Sequence, residues 1–157
     1  SQKEAIEIVE SIIKENKIKL SRRITGGGAV FHTNGNINFS FITPIKYKNS
    51  TENIIQNSLL NLKIKVEKTG RNDLVINNKK ISGNAYYKSK NTYLHHGTIL
   101  ISMDYNHLGK ILTPNISKLS KNSVKSVESR VGNLSEFCEK IKKSKVFKGR
   151  LGSWIQN

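Results

Sequence analysis

Residues 22–42 read RRITGGGAVFHTNGNINFSFI, in which paired arginines and a glycine triplet precede a run of alternating residues. Polar and apolar residues alternate over 36–42 with the period of two that a half-buried β-strand requires. The three glycines before it let main-chain N–H groups turn toward one point, which makes a concavity that binds anions. A flexible hairpin would explain the glycines, but it would not need the two arginines. The stretch therefore predicts a strand, preceded either by an anion-binding loop or by a flexible hairpin.

Other elements are predicted from apolar spacing and from turn and capping residues. Apolar residues recur at intervals of three and four over 3–16, the pattern of an amphipathic helix. Further helices are predicted at 51–60 with Ser50 or Thr51 as N-cap, from Asp104 to about Leu112, and from Ser135 to about Lys143 without a capping box. Strands are predicted at 18–22, 28–32, 36–42, 63–68, 74–76, 79–82, 84–87 and 97–102. An Asn-Asn turn at 77–78 makes a hairpin, and the polar stretch 116–133 is predicted to be a loop.

These elements predict an α+β fold with a mixed, mostly antiparallel sheet flanked by helices. A chain of 157 residues suits one domain with a hydrophobic core, so residues 1–157 are assigned to a single domain. No run of 18 apolar residues is present, and we expect neither a membrane span nor a signal peptide. The one cysteine, Cys138, excludes an internal disulfide and a cysteine-based zinc cluster, and it suits a reducing, cytoplasmic compartment.

The net charge of +16 invites a nucleic-acid function, but the composition argues against it. Lysines outnumber arginines among the 27 cations and are scattered along the chain. Lys, Ile and Asn share AT-rich codons, so a biased genome explains much of the charge. The aromatic residues do not alternate with the basic ones as a base-stacking platform would. A basic binding module for nucleic acid or an acidic protein stays open as an alternative.

Lys80 is the most informative single residue outside the glycine loop. It ends the hairpin and is followed by the small residues Ser82, Gly83 and Ala85, which leave room for a ligand to pack over it. Taken alone, a glycine triplet is compatible with an ordinary loop, and Lys80 with a solvated surface lysine. His32 alone is compatible with a hydrogen-bonded strand residue. Their order and spacing together are more specific.

The chain resembles the lipoate–protein ligase family, within the biotin/lipoate ligase fold group. The resemblance begins with the paired arginines and continues through the glycine triplet, Ala-Val, an aromatic residue, His32 and a Gly-Asn pair. It continues at GRND (70–73), KISGNA (80–85), LHHGTIL (94–100) and SVESRVGNL (126–134). Thr33 stands where the family usually has an acidic residue. The resemblance covers roughly residues 3–137.

This resemblance implies an adenylating enzyme that uses ATP and Mg²⁺ to convert lipoate into lipoyl-AMP and then acylates a lysine. It implies that Lys80 is catalytic and bridges the lipoyl carboxylate and the α-phosphate. The implied adenylate-binding residues are Arg23, Gly28, Ala29, Val30, Phe31 and Lys80. Those implied for lipoate are Lys80, His32 and Gly27, with strands 28–31 and 37–42 lining a tunnel for the dithiolane tail. Asp73 is the implied Mg²⁺ contact.

The resemblance also implies partners. These are the lipoyl domains of 2-oxoacid dehydrogenase complexes and the glycine cleavage H protein, which tend to be acidic. Relative to the family pattern we expect the N-terminal strands and the C-terminal accessory domain to be missing. A companion polypeptide would then supply the strands.

Two related functions stay open beside the ligase. An octanoyltransferase of the same fold group takes its acyl group from an acyl carrier protein without ATP, and it relies on a nucleophilic cysteine or an activated Cys–Lys arrangement. Cys138 lies far in sequence from the glycine loop, and GRND favours the ligase. A degenerate remnant that binds lipoate without turnover is the other possibility.

Overall fold

The computed structural model describes residues 14–15, 18–19, 21–26, 30–70, 72–106 and 130–143. Its regular elements are strand β1 (Asn36–Pro44), a 3-10 turn (Ile45–Tyr47), helix α1 (Lys48–Asn61), strands β2 (Glu67–Thr69), β3 (Asp73–Ile76), β4 (Lys79–Lys88) and β5 (Thr92–Leu100), and helices α2 (Leu134–Phe137) and α3 (Glu139–Lys143). Among the described residues, no helix has the length and apolar character needed to cross a membrane.

The five strands form one antiparallel sheet in the order β1-β5-β4-β3-β2. An isolated parallel bridge joins Lys80 to Val131 beside the start of β4. The predicted α+β fold, with a mixed and mostly antiparallel sheet, is therefore confirmed. The assignment of residues 1–157 to a single domain stays a prediction, because both ends of the chain lie outside the described residues.

The core lies between the sheet and the helices. Apolar side chains of α1, α2 and α3 pack there with side chains from the strands, in a cluster of Ile55, Leu59, Ile64, Leu74, Ile81, Ile99, Ile101, Leu134 and Ile141. Along β1 the side chains alternate, so that Ile37, Phe39 and Phe41 pack against this cluster while Asn38 and Ser40 point to the other face. The second face is left for the functional site.

The β3–β4 hairpin confirms its sequence prediction and adds a bulge. Asn77 and Asn78 have φ of 50° and 62°, as a two-residue hairpin turn requires. Farther along, Leu74 pairs with Ser82 while Val75 pairs with Lys80, so β4 contains one extra residue there. A bulge of this kind breaks the strict alternation of side chains. Ile81 and Ser82 are consequently both buried, at 0% and 1% exposure.

Helix α1 begins at Lys48, and its predicted N-cap at Ser50 or Thr51 is wrong. The chain enters the helix through the 3-10 turn, so Thr51 already lies inside the first turn. Its hydroxyl donates to the carbonyl of Lys48 at 2.9 Å, and its side chain is buried. The backbone thus satisfies the hydroxyl, and no capping role is left for it.

The predicted strand at 63–68 is reduced to the short β2. Lys63 has a φ of 63°, and the amide of Ile64 donates to the carbonyl of Leu59 at 2.9 Å. The amide of Lys63 donates to the carbonyl of Leu60, which completes a Schellman C-cap of α1. The need to close the helix therefore overrides the alternating pattern over the first residues of that stretch.

The predicted strands at 18–22 and 28–32 are wrong for their described residues, which have no regular structure. The predicted helix at 135–143 is divided into α2 and α3 at Cys138. Its start is at Asn133 rather than Ser135, and the carboxylate of Glu136 accepts the main-chain N–H of Asn133 at 3.1 Å as in a capping box. The prediction that this helix has no capping box is therefore wrong, because it rested on Ser135 as the first residue.

Three other predictions fall mainly outside the described residues: the helix at 3–16, the rest of the helix from Asp104, and most of the loop at 116–133. The described part of the helix predicted from Asp104 agrees with its prediction. Residues 105–106 are helical, and the carboxylate of Asp104 accepts the N–H of Asn106 at 2.8 Å.

Candidate active site

A cleft of about 750 Å³ lies on the face of the sheet opposite the core. Its floor comes from three adjacent strands, where the side chains are mostly small or polar: Asn38, Ser40, Gly83, Ala85, Leu94, His96 and Thr98. Ser40, His96 and Ala85 lie side by side in the register of β1, β5 and β4. Small side chains leave the depth that a bound molecule would need.

Lys80 enters the cleft beside Asp73. Its Nζ lies 2.8 Å from Oδ1 of Asp73, in an ion pair whose side chains are 41% and 37% exposed. A Cβ placed on Gly83 would lie 3.4 Å from the same Nζ, so the lysine side chain crosses over that glycine. Residues three apart on a regular strand face opposite sides, and the β4 bulge removes this restriction.

The main chain of Lys80 is held from the side opposite β3. Its N–H donates to the carbonyl of Arg130 at 2.8 Å, and its carbonyl accepts the N–H of Gly132 at 2.9 Å. These two bonds form the parallel bridge to Val131. The stretch SVESRVGNL, noted in the sequence without a role, thus contributes to positioning Lys80.

Residues 22–26, which we call the arginine segment, form one wall of the cleft. Arg23 donates from Nε and Nη2 to the carbonyl of Gly26, at 3.3 and 2.9 Å. The buried Thr25 lies with Oγ1 2.6 Å from Nε2 of His96 on β5. The first contact closes the segment on itself, and the second fastens it to the sheet.

His32 and His96 lie close enough to Arg23 for its charge to affect the pKa of each imidazole. Desolvation first, and then the positive charge of Arg23, lower the pKa of both His32 and His96. Neutral imidazoles can accept or donate one hydrogen bond each without adding charge. The charged side chains lining the cleft are then Arg22, Arg23 and Lys80 against Asp73. This excess of positive charge suits an anionic ligand.

The structure brings most of the predicted site residues together. Arg23, Val30, His32, Asp73 and Lys80 all line the cleft. Phe31 is half-buried and is not among the residues lining the cleft. Gly27, Gly28 and Ala29 lie outside the described residues.

His96 and Asn72 were missed as site residues. The double histidine was visible in LHHGTIL, and adjacent residues on a strand face opposite sides. His95 is indeed buried on the core side, while His96 lines the cleft. Which of the two faces a ligand depends on strand register, which the sequence alone does not reveal.

Asp73, the predicted Mg²⁺ contact, lies at the edge of the cleft. Within the described ranges, no group of three or more His, Cys, Asp or Glu side chains is arranged to hold a metal ion. Mg²⁺, however, is commonly bound by only one or two carboxylates together with substrate phosphates. Asp73 and the amide of Asn72 offer oxygen ligands at the edge of the cleft. The donor set therefore fits a Mg²⁺ ion that arrives with a nucleotide.

Cys138 is placed away from this chemistry. It is a free, half-buried thiol between α2 and α3, packed against the core cluster. It is not among the described residues that line the cleft. The arrangement gives no support to a cysteine nucleophile in this site.

Comparison with known proteins shows the family of the chain. The chain matches the family model for the lipoyl protein ligase A/B catalytic domain over residues 1–153. It is 45% identical over 130 residues to lipoate–protein ligase 1 of Plasmodium falciparum. The matched region covers 82% of this chain and 32% of that protein. It is 38% identical over 157 residues to lipoate-protein ligase LplJ of Bacillus subtilis, which covers 96% of this chain and 47% of that protein. The chain thus spans about a third to a half of these relatives.

Solved structures give the same result. A bi-partite lipoate protein ligase of Thermoplasma acidophilum, described with its E2 lipoyl domain, superimposes with a TM-score of 0.74 at 30% identity over 90% of this chain and 57% of that one. LipL1 of P. falciparum in complex with lipoate has a TM-score of 0.71 at 38% identity, over 88% of this chain and 38% of that one. A lipoate-protein ligase A bound with ATP has a TM-score of 0.71 at 27% identity, over 90% and 58%.

Proposed function

Because the chain belongs to the lipoyl protein ligase A/B catalytic-domain family, we propose that it carries the active site of a lipoate–protein ligase. The observation that supports this most is the position of Lys80, which shares one cleft with Arg23 and His32 and lies beside Asp73. The proposed reaction joins lipoate to AMP and then moves the lipoyl group to a lysine on an acceptor protein.

The first half-reaction brings two anions together. A carboxylate oxygen of lipoate attacks the α-phosphorus of ATP, the bond from that phosphorus to the bridging oxygen breaks, and pyrophosphate leaves. Repulsion between the carboxylate and the phosphate opposes this approach. The ammonium group of Lys80 would lie between them and stabilise the charge that develops in the transition state. The small side chains of Gly83 and Ala85 leave room for both ligands over the strand.

The arginine segment would bind the nucleotide. Arg22 and Arg23 supply positive charge at one wall, and the glycine triplet that follows offers main-chain N–H groups to a phosphate. The contact of Thr25 with His96 keeps this wall against the floor. His32 and His96 are polar contacts available for the adenylate or the lipoyl carboxylate.

Mg²⁺ is part of this proposal. When bound, it would shield the charge of the phosphates. Asp73 and Asn72, at the edge of the cleft, would contact it.

In the second half-reaction the amine of an acceptor lysine attacks the lipoyl carbonyl and AMP leaves. We include lipoyl domains as the acceptors, a proposal supported by the Thermoplasma ligase, which is described with its E2 lipoyl domain. The glycine cleavage H protein is proposed as a further acceptor on the family resemblance alone. A companion polypeptide is also part of the proposal, supported by the Thermoplasma ligase, which is described as bi-partite. A cytoplasmic location fits the free thiol of Cys138.

Lipoate-dependent exchange of labelled pyrophosphate into ATP tests the first half-reaction directly. We expect exchange that requires lipoate and is lost in Lys80→Met. The second half-reaction is measured separately, by mass spectrometry of an acceptor lipoyl domain. Acyl transfer from an acyl carrier protein without ATP, in the absence of pyrophosphate exchange, would instead establish the octanoyltransferase alternative.

A further inference from the structure

A buried histidine lies directly beneath the floor of the cleft. His95 is 1% exposed, and its ring is surrounded by Tyr86 at 4.7 Å, Phe39 at 5.3 Å and Phe41 at 5.9 Å between centroids. Burial is the main reason that its pKa falls to about 4. The imidazole is therefore neutral near pH 7 and carries a single N–H. A phenylalanine ring would suit this apolar cage better than an imidazole, unless the N–H of His95 has a hydrogen-bond partner.

The N–H of His95 takes part in a short series of hydrogen bonds. Nε2 of His95 lies 2.9 Å from Oδ1 of Asn84, whose Nδ2 donates to the carbonyl of Asn72 at 2.9 Å. Because Asn84 donates from its nitrogen, its oxygen is left to accept, and the N–H of His95 must be on Nε2. The same Asn72 carbonyl also accepts the main-chain N–H of Asn84 at 2.7 Å.

These hydrogen bonds end at Asn72, one residue before the partner of Lys80. Asn72 is followed by Asp73, whose carboxylate holds the Lys80 ammonium at 2.8 Å. Two donors on the Asn72 carbonyl fix the peptide plane from which Asp73 projects. Gly97 keeps the space for the link open, since a Cβ there would lie 2.9 Å from Oδ1 of Asn84 and 2.7 Å from Cζ of Phe39.

We propose that His95 and Asn84 are positioning residues that set the placement of Asp73, and through it of Lys80, from the core side of the sheet. The inference rests on the proposed ligase function for its catalytic consequence. Neither side chain needs to touch the reacting atoms for this. Loss of the His95 donor leaves the Asn84 oxygen buried without its partner, so the amide turns or takes up water and the Asn72 carbonyl loses one of its donors.

The catalytic test is a double-mutant cycle. His95→Phe keeps an aromatic ring of similar size and removes the donor, and we expect the pyrophosphate-exchange kcat to fall about tenfold, the usual effect of losing one hydrogen bond. His95→Gln keeps an N–H donor and is expected to recover part of this loss. In an Asp73→Asn background, His95→Phe is expected to have almost no further effect. Equal losses in the two backgrounds, or a His95→Gln variant as poor as His95→Phe, would overturn the proposal.

A second measurement does not depend on enzymatic activity. Hydrogen–deuterium exchange at the Asn84 amide reports on the contact with Asn72, and we expect it to become several-fold faster in His95→Phe. Ile99→Val is the matched control, because Ile99 is buried on β5 like His95 but takes no part in these hydrogen bonds. It should leave unchanged the exchange rate of the Asn84 amide relative to the other β4 amides. An unchanged Asn84 ratio in His95→Phe would refute the link. Absence of pyrophosphate exchange in the unmodified protein would instead count against the ligase function alone.

Discussion

Lys80 and Asp73 form an ion pair at 2.8 Å across neighbouring strands, directly above a glycine. Both side chains remain substantially exposed, and pairs of this kind contribute little to stability, typically less than about 1 kcal/mol. The pair therefore does more to place the ammonium of Lys80 over Gly83 than to hold the sheet together. The ammonium of Lys80 has three N–H donors, so it can bind a carboxylate or a phosphate while it keeps its contact with Asp73.

Lys80→Met should abolish adenylation and leave the fold intact. The substitution keeps the aliphatic stem and removes the charge that counters repulsion between the two anions, so the exchange rate should fall at least about 100-fold. Lys79→Met is the matched control, because Lys79 pairs with Glu136 at 3.5 Å and does not line the cleft. Pyrophosphate exchange and thermal unfolding are measured on both variants. Near-normal exchange in Lys80→Met would remove the lysine from the mechanism.

Thr25→Val should weaken ATP binding more than it weakens the fold. The change removes the hydroxyl that contacts His96 and keeps the shape of the side chain, so we expect a several-fold rise in the KM for ATP and a stability loss of about 1 kcal/mol. Thr51→Val removes a comparable buried hydroxyl from α1, remote from the cleft. If both variants raise the KM equally, the effect comes from stability and not from the arginine wall.

His95 should make the protein less stable in mild acid. Its pKa is about 4 in the folded protein against 6.5 when solvated, so below pH 6.5 the unfolded chain binds a proton that the folded protein does not. Stability is then lost as the pH falls from 6.5 toward 4, by an amount on the order of 3 kcal/mol. His32 and His96 shift the same way, and comparison with His95→Gln cancels their contribution. Urea unfolding between pH 4.5 and 7, a range chosen from these values, should show a steeper loss in the unmodified protein; parallel curves would contradict the assignment.

Gly97→Ala should destabilise the sheet. The new methyl would lie 2.6 Å from the carbonyl oxygen of Gly83, as well as meeting Phe39 and Asn84, so strands must move apart at a cost of about 1–3 kcal/mol. Gly26→Ala is the comparison for stability, since a Cβ there meets nothing within 4 Å. Chemical denaturation of the two variants decides the matter. Equal midpoints would show that β4 and β5 are less closely packed than the structure indicates.

Salt should slow lipoyl transfer more than adenylation. The chain has a net charge of +16, and an acidic acceptor domain would be drawn to it over distances that salt screens. From about 50 to 200 mM salt the Debye length falls roughly twofold. Small substrates held inside the cleft should be less affected. Parallel salt dependence of the two half-reactions would mean that the charge has no part in recognising the acceptor.

Features governed by local physics could be predicted from the sequence. The alternation over 36–42 predicted β1, and the Asn-Asn pair predicted the hairpin, because side-chain period and tolerance of positive φ are properties of a few neighbouring residues. The family resemblance, and not local physics, predicted roles for Lys80, Arg23, His32 and Asp73; the structure places all four in one cleft, and their roles stay predictions. The described residues of the strands predicted at 18–22 and 28–32 have no regular structure, because a local pattern of side chains does not supply the partner strand that a hydrogen-bond ladder needs.

Contacts between distant segments were decided only by the tertiary structure. The bulge that places Lys80 over Gly83 depends on how β3 and β4 pair, and the choice of His96 for the cleft and His95 for the core depends on the register of β5. The bonds from Arg130 and Gly132 to Lys80 join residues about fifty positions apart. A shift of one residue in any of these pairings would turn each side chain to the opposite face at no change in local preference. Packing of the whole core selects among such registers, and that selection is not contained in any single stretch of the chain.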